Sequence, residues 1–139
     1  MKINSILLVA AILLLSVSCK KNNDTITIVG KWKQTSGIYT PTYLGESDYF
    51  ATYSACEKDD IVEFRADNTY ELNEGASKCD PASPQIIVAG SYSVNADLTS
   101  IVILGQTTKI AVTKNTLTVT NSFTDAGVTY SDISTYQRQ

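Results

Sequence analysis

The sequence predicts an all-β fold, an eight-stranded up-and-down antiparallel barrel, preceded by an N-terminal export signal. Three observations predict it. Runs rich in threonine, valine, isoleucine and tyrosine alternate apolar with polar positions, the pattern of a half-buried pleated surface. Turn residues interrupt these runs about every 8 to 12 residues, and no long helical period intervenes. The runs also follow one another through short connections, and closing such a meander removes the two exposed edges that an open sheet leaves.

The chain opens with Lys2, continues through an uninterrupted apolar run from Ile6 to Leu15, and sets Ser16, Val17 and Ser18 before Cys19. A charged start, apolar middle and small-residue end form the layout of a secretory signal. A run of this length gives about 15 Å of helix against roughly 30 Å of hydrocarbon, too short for a permanent transmembrane span. Ser16 to Cys19 resembles the lipobox of bacterial lipoproteins, with Ser16 where leucine is commonest. That resemblance implies a signal peptide over residues 1–18, acylation of Cys19, a polar tether over 19–27, and a membrane anchor through the N-terminal lipid. It places the protein in the cell envelope, at the outer membrane, with the periplasmic or surface side left open. The competing reading is an ordinary signal peptide with a chance cysteine at its end.

Removing the first 18 of 139 residues leaves 121, which suits a single domain over residues 28–139. The loss of Lys2 takes the net charge from −3 to −4. Lys20 and Lys21 are the only adjacent bases and belong to the tether, so nucleic acid is disfavoured as a partner.

The first candidate strand is "TITIVGKWKQTS", residues 25–36. The next two form a hairpin in "DIVEFRADNTYELNE". A two-residue turn at Asp67-Asn68 would set Phe64 opposite Glu71, mixing apolar and charged on one face. A three-residue loop, Ala66 to Asn68 with Asn68 left-handed, sets Phe64 opposite Tyr70 and Val62 opposite Leu72. Extended outward, this register brings Cys56 opposite Lys78, one residue from Cys79. With Cys19 assigned to lipid, Cys56 and Cys79 are the remaining pair in an oxidising compartment, and a structural disulfide between them is expected.

Five further strands follow in "QIIVAGSYSV", "TSIVIL", "TTKIAVT", "TLTVTNSF" and "VTYSDISTYQ". Alternation turns Tyr92, Ile101, Ile110, Leu117 and Tyr130 inward along with the hairpin residues. Large side chains at most such positions predict a narrow interior.

"VGKWKQTS" is similar to the Gly-x-Trp start of lipocalins, here Gly30 and Trp32. The order "CEKDDIVEF", "ADNTYEL", "KCDP", "AGSYSV" further resembles the small lipocalin-like domain of Gram-negative lipoproteins, over about residues 28 to 137. The resemblance implies a barrel whose floor is closed by Trp32, with Gly30 letting the chain pass close beneath. In lipocalins a late basic side chain commonly stacks on this ring. Arg138 falls at that point in order, one residue from the chain end, where fraying works against the contact.

Residues 37–55 form the least regular segment and hold Tyr39, Tyr43, Tyr49, Phe50 and Tyr53. A long connection over the open end of a barrel is where lids and binding loops occur, so these five are candidate ligand residues for a small apolar or aromatic molecule. The plainer reading is core cover, with Ser47 capping a short helix whose Tyr49, Phe50 and Tyr53 pack downward. Glu57, Asp59, Asp60 and Asp80 lack the one-three-five ligand pattern of a calcium loop; they are expected to form a solvated acidic rim with Asp60 or Asp80 in turns, and no metal site or cofactor is expected.

The chain has no histidine, and no carboxylate pair is marked by spacing or by an apolar setting, so no catalytic residue is assigned and an enzyme is not expected. Two readings of the barrel then stand: a tethered module that binds a small apolar ligand, or a filled barrel that meets a protein partner of the envelope, an inhibitor among the possibilities.

Overall fold

The computed structural model describes residues 25–139; the expected signal peptide, Cys19 and residues 20–24 of the tether lie outside the described residues. Among the described residues nine strands occur: β1 (Gly30–Tyr43), β2 (Glu46–Asp48), β3 (Ile61–Phe64), β4 (Thr69–Asn73), β5 (Ile86–Val94), β6 (Ser100–Ile103), β7 (Gln106–Val112), β8 (Thr116–Asp125) and β9 (Val128–Arg138). All but β2 pair in chain order as antiparallel neighbours, and β9 returns to pair with β1. The expected eight-stranded barrel is thus closed, and β2 is a short flap on the outer end of β1.

The β3–β4 hairpin has the register that the pleat rule selects. Phe64 faces Tyr70 and Val62 faces Leu72, and Asn68 takes a φ of 65°. On the outer face Glu63 stands directly opposite Glu71, a like-charge pair that alone would weaken the hairpin. Arg65 bridges both, at 3.4 and 2.5 Å.

One end of the barrel is sealed. Trp32 is fully buried there, its indole N–H donating to the Ile28 carbonyl at 2.7 Å. Ile28, Phe64, Tyr70, Tyr92, Ile110 and Leu117 pack into the same core. The Arg138 guanidinium lies 4.1 Å from the Trp32 ring and donates to the carbonyls of Val29, Thr27 and Lys114 at 2.7, 2.6 and 2.7 Å. Fraying does not remove it, because β9 pairs with β1 as far as Trp32↔Arg138. Gly30, at a φ of 139°, runs beneath that guanidinium, where any Cβ would collide with Nη1. Hydrogen therefore marks the only side chain that fits both the backbone angle and the neighbour.

The first strand is longer than its apolar pattern suggested: it continues to Tyr43 through a bulge between Gln34 and Ser36. The bulge resets the pleat so that Gly37, Tyr39 and Tyr43 resume the inward face. Beyond the barrel proper, β1, β8 and β9 project as a three-stranded extension with an aromatic inner face. Tyr130 belongs to this extension and not to the core, stacking on Phe123 at 5.4 Å and meeting Tyr43 at 4.9 Å. The expected Ser47-capped helix is replaced by a single 3₁₀ turn, Phe50–Thr52, where Asp48 accepts from the Ala51 N–H at 3.0 Å.

Candidate functional site

The register places the hairpin loop after β3, the β5–β6 turn, the β7–β8 turn and both domain ends at the sealed floor. The opposite end receives the β1–β3 connection and the β4–β5 loop. A disulfide between Cys56 and Cys79, with Cα atoms 5.2 Å apart, ties these two mouth segments together. The expected pairing is therefore present, and it braces the rim of the barrel.

Between floor and mouth lies a cavity of about 420 Å³. Its deep wall is apolar, formed by Phe64, Ile101, Ile110 and Leu117. The narrow interior expected from the inward side chains is corrected here: bulk concentrates near the floor, while Val62, Leu72, Val88, Ile103, Thr108 and Val119 leave the upper half open. Sequence alternation gives the direction of each side chain, but the space between them depends on strand tilt and on how far the long strands rise above the short ones.

The cavity wall also carries polar groups: Gln34, Tyr53, Glu57, Asp60 and Asn121, together with Thr108 and the phenols of Tyr70 and Tyr136. Of the five aromatic candidates, Tyr53 is the one that lines the cavity. Tyr39, Tyr43 and Tyr49 pack against one another and toward Phe123 and Tyr130, with ring centroids 4.7 to 6.3 Å apart. Tyr49 also crosses over Gly37, whose missing Cβ makes room for the ring, and its hydroxyl donates to Asp132 at 2.6 Å and bonds Ser134 at 2.8 Å. Burial and the Asp132 carboxylate hold the Tyr49 phenol well above its ordinary range, so it stays protonated. Phe50 packs on Tyr53 at 5.6 Å and beneath Lys58.

The acidic rim departs from the solvated one expected. Asp80 is a turn residue, accepting from the Ala82 N–H at 2.9 Å. Asp60 instead shares the inward parity of Val62 and Phe64, and by the pairing Ile61↔Asn73 it stands opposite Glu74. Glu74 is buried and accepts from the Cys79 N–H at 2.9 Å. The Asp60 Oδ1 atom is buried with no hydrogen-bond partner in the protein. Burial, with the Glu74, Asp59 and Glu57 carboxylates beside it, pushes the Asp60 carboxyl up to about 6. Glu57 behaves in the opposite way. Its carboxylate accepts from the Ser54 hydroxyl and N–H at 2.7 Å each, which holds it below the usual range. Sequence reading missed Asp60, Gln34 and Asn121 as cavity residues. The parity of Asp60 with Val62 could have revealed the first.

Among the described residues, no group of three or more metal-ligating side chains is close enough to hold a metal ion. A closed antiparallel barrel with one sealed floor, one braced mouth and a cavity between them is wide enough to hold one small molecule. Residues 28–124 match the lipocalin-like domain family, and the chain belongs to it. No curated protein matches the chain.

Proposed function

We propose that this protein is a membrane-anchored lipocalin-like lipoprotein that binds a small apolar or aromatic molecule inside its barrel. The observation that carries the reading is the cavity itself, about 420 Å³ with an apolar deep wall, which lies within the size range of small-molecule sites. A filled barrel acting only through its surface would have no use for that space, and the packing cost of leaving it empty argues against retaining it. We assign the anchor to Cys19, in the outer membrane, on the strength of the signal pattern and the lysine-led polar tether. Carriage, and not catalysis, is the assigned role: the sequence contains no histidine, and Cys56 and Cys79 are joined.

N-phenylnaphthylamine, a neutral apolar fluorophore, tests the reading. Its emission is expected to rise on binding the folded protein and to stay at the free-dye level with Val119→Trp, which fills the upper cavity. A folded parent protein that leaves the dye unbound, and that carries no retained molecule in native mass spectra after purification from its own envelope, would overturn the carrier assignment.

A further inference from the structure

The cavity has a chemical direction. Its floor is hydrocarbon, and its mouth carries the carboxylates of Asp60 and Glu57. Among the described residues, no lysine or arginine lines it. Lys58, between the two acids in sequence, turns outward to donate to the Ala51 carbonyl at 3.1 Å and to cover the Phe50 ring. Gln34, Thr108, Asn121 and the tyrosine phenols on the wall add polar groups without supplying a positive charge.

Asp60 is the telling residue. Its Oδ1 is buried and unpaired, as is that of the adjacent Asp59, but of the two only Asp60 lines the cavity, with the Glu74, Asp59 and Glu57 carboxylates beside it. A buried acceptor without a donor destabilises an ordinary protein interior. An aliphatic side chain at this position would complete the apolar wall at no such cost. The cost is relieved if the ligand itself brings a charged donor to that point.

We propose that the cavity accepts a cationic amphiphile: an apolar body seated on Phe64, Ile110 and Leu117, with one ammonium or amidinium head held at the mouth between Asp60 and Glu57. The proposal rests on the carrier reading and narrows it to a head-group chemistry. Fatty acids and other anionic amphiphiles would meet carboxylates with no compensating base and are excluded by the same geometry.

The test uses the full chain carrying Cys19→Ala, so that no acyl chain competes for the cavity, and measures displacement of N-phenylnaphthylamine by three probes of equal tail length: decylammonium, decanol and decanoate. Decylammonium is expected to bind about tenfold more tightly than decanol, the low end of what a hydrogen bond to a charged group contributes, and decanoate most weakly. Asp60→Asn, nearly isosteric, should erase most of the advantage of the amine and leave decanol unchanged. Lowering the pH from about 8 to about 5 should weaken decylammonium alone, because Asp60 takes up its proton near pH 6. Equal binding of amine and alcohol, or tighter binding of decanoate, would sink the head-group assignment and leave the carrier reading standing. Failure of all three probes and of the dye, in protein whose circular dichroism shows the folded barrel, would sink both.

Discussion

Removing the Arg138 side chain should loosen the whole barrel, although the residue is next to last in the chain. Its guanidinium makes three hydrogen bonds to backbone carbonyls from two separate segments, residues 27–29 and Lys114, while lying on the Trp32 ring. Hydrogen bonds to a charged donor contribute about 1.5–3 kcal/mol each when buried, and much less when solvated. Two of these are partly buried and one is exposed. The cation–ring contact adds about 0.5–1 kcal/mol. Against this stands roughly 2 kcal/mol of side-chain freedom that the folded arginine gives up. Arg138→Ala is therefore expected to cost about 2–3 kcal/mol, or roughly 10 °C in Tm for a domain of this size. Arg138→Lys should recover less than half, since an ammonium cannot serve carbonyls in three directions. Gly30→Ala should also destabilise, and its cost should overlap with that of Arg138→Ala because its Cβ displaces the same guanidinium. Urea denaturation followed by circular dichroism, across the two single variants and the double, measures both quantities. A loss under about 0.5 kcal/mol for Arg138→Ala, or strict additivity in the cycle, would refute the clamp.

Reducing the Cys56–Cys79 bond, or replacing both residues by serine, should cost at most about 3 kcal/mol by loop closure and in practice less, because the β3–β4 hairpin already restrains the same span; matched melts with and without reductant decide this. For Asp60 the folded carboxyl is raised from 3.8 to about 6, so the native state holds a proton more tightly than the unfolded chain, and this group's contribution falls as pH rises through that window. Asp60→Asn should accordingly raise Tm at neutral pH and show little difference near pH 4; an equal shift at both would deny the strain assigned to this carboxylate. Glu57, Asp67 and Glu71 are held below their usual range and act in the opposite sense, losing stability as the pH falls through their own lowered values, which keeps the two effects separable. Cys19→Ala is expected to leave the protein in the soluble fraction after cell lysis, and unchanged partitioning into membranes would remove the lipid anchor.

Much of the barrel was legible because pleat parity and turn chemistry are local. Choosing Asn68 as the left-handed residue was enough to set Phe64 against Tyr70, and that register led outward to the disulfide. The floor was legible by another route, the resemblance carried by Gly30 and Trp32 at the start of β1. What escaped notice was non-local. The bulge after Gln34 reversed the parity of β1, so the aromatic segment that reads as an irregular loop became strand and formed a shelf with Phe123 and Tyr130. Asp60 read as one of four surface acids, since nothing in "EKDD" tells which carboxylate turns inward. Only its place two residues before Val62, immediately ahead of β3, separates it from its neighbours.

Unequal strand lengths explain why the cavity and the acid occur at the same end. β3, β4 and β6 have four or five residues, whereas β1, β8 and β9 have ten or more. All are aligned at the floor, where the hairpin turns and Trp32 fix their register, so the short strands stop below the long ones and leave the wall low on one side. The β1–β3 connection has to descend across that gap to enter β3, and the last residue before that strand, Asp60, lines the cavity. A carboxylate there sits under a lid held by the disulfide, above a hydrocarbon floor, in the part of the barrel least filled by side chains. An apolar residue at the same place would close the wall; the acid leaves it polar on the side from which a ligand enters.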